Sequence, residues 1–124
     1  MTLDHWPFVT PSFTADRPIY QQLRAHAAAQ ILQGTWPEGG RLPSVRRWAG
    51  ELGINALTVL RAYRLLIEKD LVFKQRGRGL FVADGARERL LFEERRHFLQ
   101  HEWPPIRSKL ERLGLSVRDL PPSE

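Results

Sequence analysis

Apolar side chains recur at helical spacing in the first half of the chain and predict three successive helices. The first helix should begin just after Pro18, because proline is favoured in a first helical turn, and should end at Gly34. The loop that follows, residues 35–40, contains one proline and two glycines. The buried face of this helix is expected to carry Ile19, Leu23, Ala27 and Ile31, which repeat every four residues.

Two shorter helices follow, separated by a turn at Gly53. Ser44 is predicted to cap the second helix and Asn55 the third, since both side chains can accept a hydrogen bond from a free backbone amide. The third helix should run to about Lys69. The expected buried positions are Val45, Trp48, Ala49 and Leu52 on the second helix, and Val59, Ala62, Tyr63, Leu66 and Ile67 on the third.

Two short apolar stretches after the third helix predict a β-hairpin. They cover residues 71–75 and 80–83 and flank Arg76-Gly77-Arg78-Gly79, whose glycines permit the positive φ of a tight turn. Helix, glycine turn, helix and hairpin therefore occur in this order between Arg41 and Val82. The order predicts a mainly α fold, a winged helix-turn-helix of three helices and a hairpin wing, which binds duplex DNA.

The last part of the chain is predicted to be a short two-helix dimerisation region. A fourth helix should begin at Asp84 or Gly85, run to about Glu102 and be broken by Pro104-Pro105. Apolar residues then follow a spacing of 4, 3, 4 and 3, as in a coiled-coil seam, although Gly114 can interrupt this helix. The expected dimer contacts are Leu91, Phe98, Ile106, Leu110, Leu113 and Val117. The alternative is that the seam packs on its own subunit.

The predicted organisation is an N-terminal arm at residues 1–17, a DNA-binding domain at 18–83 and a dimerisation or effector region at 84–124. The arm lacks helical periodicity, and its aromatic residues Trp6, Phe8 and Phe13 are expected to dock on the remainder of the protein. The residues after Val82 form only a helix and a short seam with no outgoing linker. This favours a complete small regulator over the head of a longer protein.

The positive charge of the chain is concentrated in the predicted winged helix-turn-helix. The 124 residues carry a net charge of +5. Between Arg41 and Arg78, nine Lys or Arg residues outnumber three acidic residues, whereas the rest has ten basic and eleven acidic residues. A polyanionic partner is therefore favoured over a randomly charged solvated face. The chain has no apolar run of membrane-spanning length, no export signal and no cysteine, which fits a protein of the cytoplasm.

The start of the third helix carries the candidate residues for reading bases. A helix-turn-helix places this part of its second helix in the major groove. Asn55 can pair with adenine, Ala56 or Leu57 can meet a thymine methyl group, and Thr58 can hold a phosphate. The alternative for Asn55 is that it only caps the helix.

Arginines supply the candidate contacts to the DNA backbone. Arg46 can reach a phosphate or a guanine. Arg76 and Arg78 lie where a wing enters the minor groove, and Gly77 and Gly79 allow the backbone to come close to the sugar-phosphate wall. Further along the third helix, Arg61 and Arg64 can clamp the flanking backbone, or they are simply solvated surface.

No catalytic, cofactor or metal site is predicted. His97 and His101 have a spacing that can bind a metal, but neither cysteine nor a Glu-x-x-His arrangement accompanies them. The chain has no Ser-His-Asp order and no phosphate-binding loop, so we expect no enzyme activity.

The stretch from Pro18 to Val82 resembles the GntR family of bacterial transcription factors, and the short C-terminal part resembles its YtrA-like subfamily. The matching segments are Pro18-Ile19-Tyr20-Gln21-Gln22, Gly39-Gly40-Arg41-Leu42-Pro43-Ser44-Val45-Arg46, Leu52-Gly53-Ile54-Asn55, Thr58-Val59, Arg61-Ala62-Tyr63, Leu66, Arg76-Gly77-Arg78-Gly79 and Phe81-Val82. The resemblance implies a homodimer on a roughly palindromic operator. It also implies that DNA is faced by Ser44, Arg46, Asn55, Ala56, Thr58, Arg76 and Gly77.

Two departures and three alternatives qualify this picture. Several relatives have arginine at the positions of Ala56 and Leu60, so base reading by the recognition helix should be thinner here. The leading hypothesis is a dimeric repressor of its own operon, which the resemblance associates with transporters or stress, released by an unknown small-molecule effector. The alternatives are the head of a pyridoxal-phosphate-type regulator, a nonspecific architectural DNA-binding protein and a winged helix that binds only proteins.

Overall fold

The computed structural model describes residues 12–123, and its helices and hairpin follow the predicted order. The elements are α1 (Ile19–Gln33), α2 (Val45–Leu52), α3 (Ala56–Glu68), β1 (Val72–Gln75), β2 (Gly79–Val82), α4 (Ala86–His97), a π-helical turn (Phe98–Glu102), α5 (Trp103–Arg112) and a 3-10 turn (Val117–Asp119). The mainly α fold with a hairpin wing is therefore confirmed. Of the predicted arm, Trp6 and Phe8 lie outside the described residues, and Phe13 packs against the core.

The helix ends follow the capping residues that the sequence indicates. Gly34 and Gly53 adopt left-handed conformations after α1 and α2, with φ of 84° and 67°. Ser44 Oγ accepts the backbone N–H of Arg47 at 3.1 Å, and Asn55 Oδ1 accepts that of Leu57 at 2.8 Å. These bonds satisfy amides that have no partner inside the helix, so both predicted N-caps are confirmed.

The chain divides into two compact units, the first ending at Leu90 and the second beginning at Leu91. In the first unit, α1, α2, α3 and the hairpin enclose one core. Trp48 lies at its centre, stacked on Tyr63 at 5.6 Å between ring centroids and edge-on to Trp36 at 5.3 Å. Such aromatic pairs add about 0.5–1.5 kcal/mol to the gain from burying their area.

Two predicted core residues are wrong, one on α1 and one on α3. Ile19 is 42% exposed because it is the first residue of α1, whereas Leu23, Ala27 and Ile31 are buried as predicted. Val59, Ala62, Tyr63 and Leu66 are buried, but Ile67 is 37% exposed. A helix turns by about 100° per residue, so Ile67 lies one step past the buried stripe and faces solvent.

In the second unit, Pro104 and Pro105 do not break the helix as predicted, because they stand in the first turn of α5. A first turn tolerates proline, since its amides have no helical acceptor. The preceding turn is wider than an α-helix, and the Trp103 N–H donates to Phe98 O, five residues back. The predicted interruption at Gly114 is confirmed, since its φ is +67° and α5 ends at Arg112.

No side chain among residues 91–123 is buried. Leu91 and Leu110 are half-buried, whereas Phe98, Ile106, Leu113 and Val117 are exposed, the last two by about three fifths. Val117 lies in the 3-10 turn beyond α5, so the seam is not one continuous helix. Among the helices of residues 12–123, none is long and apolar enough to cross a bilayer.

Candidate nucleic-acid interface

The start of α2 is held in place by the helix that follows it. Tyr63, on α3, donates its buried hydroxyl to Pro43 O at 2.8 Å. Burial, with a smaller contribution from the negative charge of Glu51, raises the pKa of Tyr63 well above its ordinary value, so the hydroxyl remains a donor. Pro43 directly precedes Ser44, the cap of α2. The bond therefore fixes the start of α2 relative to α3.

The two arginines in the first turn of α2 have different environments. Arg47 Nε lies 3.0 Å from Glu51 Oε1, in an ion pair one turn apart on the same helix. Arg46 is exposed, and its side chain has neither an ion pair nor a hydrogen bond within residues 12–123. Arg46 thus presents an uncompensated charge to solvent, whereas Arg47 does not.

The first turn of α3 exposes an apolar surface. Ala56 is exposed, and Leu57 is 69% exposed. Thr58 is half-buried and Asn55 is exposed. Because Asn55 Oδ1 caps the helix, the oxygen that would accept from an adenine amino group already has a donor.

Further along α3, Arg61 and Arg64 lie on the same face as Leu57, at spacings of three and four residues. Both arginines are exposed. The Arg61 guanidinium lies over the ring of Tyr20 from α1, with Cζ 3.8 Å from the ring centroid. This contact orients Arg61. From the sequence alone, Arg61 could be either a clamp on the DNA backbone or solvated surface.

The wing is a three-residue loop on a regular antiparallel hairpin. Gln75 pairs with Gly79, and the Arg78 N–H donates to Gln75 O at 2.9 Å. Gly77 has a φ of 76°, which side chains rarely adopt, and a Cβ there would meet no atom within 4 Å. The loop therefore extends into open space with the exposed side chains of Arg76 and Arg78 on either side of Gly77.

The segment before α2 pairs with the outer edge of β2 through an isolated β-bridge. The Leu42 N–H donates to Leu80 O at 2.8 Å, and the Val82 N–H donates to Gly40 O at 2.9 Å. Arg41 lies between these bonds and forms a bridge with Phe81. This places its side chain beside β2, where a Cβ on Gly79 would lie 3.0 Å from Arg41 Nε.

Sequence reasoning did not select Arg41, although it counted the residue within the basic stretch. The sequence feature that could have indicated Arg41 is Gly79, the second glycine of the wing, which we had attributed to close approach of DNA. In the structure the space beside Gly79 is occupied by the Arg41 side chain.

Apart from Arg47, the arginines of this surface have no acidic partner among residues 12–123. The ion pairs found within residues 12–123 are Arg47–Glu51 and Arg107–Glu111. The surface of α2, α3 and the wing therefore carries uncompensated positive charge at Arg41, Arg46, Arg61, Arg64, Arg76 and Arg78.

His97 and His101 have the spacing of metal ligands, although the sequence predicted no metal site there. The rings of His97 and His101 are 4.9 Å apart. Within residues 12–123, no third His, Cys, Asp or Glu joins them in a group that could hold a metal ion.

Comparison with known proteins gives relatives in which the similarity is confined to part of the chain. The HTH-type transcriptional regulator Rv1152 of Mycobacterium tuberculosis is 44% identical over 70 residues, 56% of this chain and 57% of that protein. The HTH-type transcriptional repressor YtrA of Bacillus subtilis is 34% identical over 74 residues, 60% of this chain and 57% of that protein. The chain thus spans a little over half the length of these relatives.

A solved structure, that of the DNA-binding domain of AraR in complex with operator ORE1, is similar to this chain with a TM-score of 0.53 and 25% identity. The similarity covers 61% of this chain and 94% of that domain. The model of the bacterial regulatory proteins of the gntR family matches residues 18–82, more than half of the chain. The resemblance seen in the sequence is therefore confirmed, and the chain belongs to the gntR family, whose members are DNA-binding transcription regulators.

Proposed function

We propose that this protein is a sequence-specific repressor that binds duplex DNA through α2, α3 and the wing. The observation that carries the proposal is the set of exposed arginines on these three elements that have no acidic partner within the described residues 12–123. Phosphate neutralisation by such residues supplies most of the affinity of DNA-binding proteins. The similarity to a domain bound to its operator and to a protein named as a repressor supports both DNA binding and repression.

In the proposed complex the first turn of α3 enters the major groove. Leu57 and Ala56 meet thymine methyl groups there, and Thr58 and Arg61 hold backbone phosphates. At the start of α2, Ser44 and Arg46 contact the adjacent backbone. The exposed apolar surface of Leu57 supports this arrangement, because hydrophobic contact is the means by which a protein recognises a thymine methyl.

The wing is proposed to enter the minor groove beside the recognition helix. Arg76 and Arg78 would supply charge there, and Gly77 would let the loop backbone approach the groove wall. Narrow minor grooves carry an enhanced negative potential that attracts arginine. Because Ala56 and Leu60 provide no charge, we propose that backbone and shape contribute a large share of the specificity.

We further propose a homodimer that binds a palindromic operator in its own operon, in the bacterial cytoplasm. Half-sites would be read by two copies of the domain at 18–83, joined through the region at 84–124. The exposed apolar side chains beyond Leu90 support this, since apolar surface exposed in one subunit is commonly buried against a partner protein. An effector, if one acts, would have to change the relative orientation of the two DNA-binding domains.

Selection from a random duplex library, followed by mobility-shift titration at several salt concentrations, tests the proposal. We expect one inverted repeat to be enriched, and log K to fall by about 0.9 per log unit of salt for each phosphate contacted. Arg76→Ala should lower this slope. Lys69→Gln removes the same charge at the far end of α3 and should leave it unchanged. Binding without sequence preference at any salt concentration would favour an architectural protein.

Asn55→Ser separates the two roles open to Asn55. Serine is also a good N-cap, so the helix keeps its capping bond while the amide group is lost. A blurred preference at one adenine per half-site would assign base reading to Asn55. An unchanged preference would leave it with the capping role alone.

A further inference from the structure

A groove between the wing and the segment before α2 has the composition of an anion-binding site. It has a volume of about 430 Å³ and is lined by Gly39, Gly40, Arg41, Gly77, Arg78 and Phe81. Two of these residues are arginines and none is acidic. Three are glycines, which leave the backbone accessible to a ligand.

The sequence neighbour that could neutralise the groove is engaged elsewhere. Glu38 directs its carboxylate to the start of α4, where Oε1 accepts the Gly85 N–H at 2.9 Å and Oε2 accepts the Arg87 N–H at 3.2 Å. These bonds lower the pKa of Glu38 and keep it ionised. Within residues 12–123, no acidic side chain pairs with Arg41 or Arg78. The charge of the groove is therefore available to a ligand.

The backbone places Arg41 firmly at this position. The hydrogen bonds on either side, Leu42 N–H to Leu80 O and Val82 N–H to Gly40 O, fix its Cα beside β2. The missing Cβ of Gly79 leaves room for its side chain. The side chain therefore starts from a fixed point beside the groove, and its planar guanidinium can bind an oxyanion through two hydrogen bonds.

We propose that Arg41, together with Arg78, binds one phosphodiester of the DNA backbone in this groove. The inference rests on the proposed DNA-binding function, because the ligand is the strand that flanks the wing. Arg41 would act as a positioning contact that sets the depth of the wing, and it would carry no base preference of its own.

Salt titration of Arg41→Gln on the selected operator is the first test. The slope of log K against log salt should fall by about 0.9 per protomer, with the ratio of operator to random-DNA affinity unchanged. Arg41→Lys should retain most of the slope, and Lys69→Gln all of it. Equal thermal midpoints of the variants would show that the wing remains folded. An unchanged slope, or a changed operator preference, overturns the inference while leaving DNA binding by the wild type intact.

Neutral methylphosphonates, placed one at a time along the operator, locate the contact. In the wild type, one position per half-site next to the wing should weaken binding, and the same substitution should have no effect on Arg41→Gln. If no phosphate shows this loss of coupling, the groove does not hold the DNA backbone. A groove that binds only a free phosphate compound, and not the DNA backbone, would also show no loss of coupling at any operator phosphate.

Discussion

The guanidinium of Arg61 stacks on the ring of Tyr20, with 3.8 Å between Arg61 Cζ and the ring centroid. The contact joins the proposed recognition helix α3 to α1, and it leaves the edge of the guanidinium open to a phosphate. A partly exposed cation–π pair contributes about 0.5–1 kcal/mol. Tyr20 therefore holds in one orientation a side chain that would otherwise be ordered only on binding.

Tyr20→Leu should weaken operator binding by about 2- to 5-fold, because 0.5–1 kcal/mol of preorganisation is lost. The salt slope should remain, since the charge of Arg61 is still present. Arg61→Gln should lower the slope by about 0.9 per protomer. Mobility-shift titration measures both effects, with Tyr20→Phe as the control that keeps the ring. Wild-type affinity in both Tyr20→Leu and Arg61→Gln would show that Arg61 is solvated surface.

Leu57 should make binding depend on the methyl group of a thymine. Replacing individual thymines of the operator by uracil removes one methyl each, which should cost about 0.8 kcal/mol, or roughly 4-fold, at the position that Leu57 covers. Leu57→Ala should bind the thymine and uracil operators equally well at that position. If every uracil substitution is neutral in the wild type, Leu57 has another role.

The fold could be predicted from the sequence because the residues that start and end its helices act locally. Ser44, Asn55 and Gly34 each satisfy backbone groups within a few residues, so their chemistry can be read without knowledge of the fold. Pro104 shows the limit of this reasoning. A proline within an apolar pattern indicates a break, but the wide turn at residues 98–102 lets the chain start a new helix around it.

The candidate interface was less accessible because parts of it depend on distant neighbours. Arg41 gains its position from Gly79, 38 residues later, and Arg61 from Tyr20, 41 residues earlier. Neither pair leaves a local pattern in the sequence. The same holds for Tyr63, which appeared only as a core residue, whereas its hydroxyl also fixes the carbonyl before Ser44.

Tyr63→Phe should lower the free energy of unfolding by about 1–2 kcal/mol, because the buried Pro43 carbonyl loses its donor. Urea denaturation of the two proteins measures the difference. Tyr20→Phe is the matched control, since within residues 12–123 the Tyr20 hydroxyl meets only the exposed Gln21 side chain, and its stability should be unchanged. Equal stability of Tyr63→Phe and the wild type would mean that the bond is not needed.

Glu38 should make stability depend on pH. Its pKa is lowered from 4.5, chiefly by the backbone N–H groups of Gly85 and Arg87 at the start of α4. A lowered pKa means that the stabilisation is complete above pH 4.5 and is lost as the pH falls through the folded-state pKa. The stability difference between the wild type and Glu38→Gln should therefore shrink in acid. A difference that is constant between pH 7 and pH 3 would contradict this role.

A charge in the proposed dimer seam should separate the subunits without unfolding them. Leu113 is 61% exposed, so Leu113→Asp should leave each subunit folded but place two carboxylates in the dimer interface. We expect sedimentation at the mass of a monomer, and affinity for the full operator reduced by about 10²–10⁴-fold, because the two half-sites are no longer bound by one linked molecule. Affinity for a half-site should not change. Ser108→Asp adds the same charge to α5 away from the seam and should remain dimeric. If Leu113→Asp sediments as a dimer like the wild type, the dimer contact lies elsewhere. If the wild type is monomeric when bound to the full operator, there is no dimer.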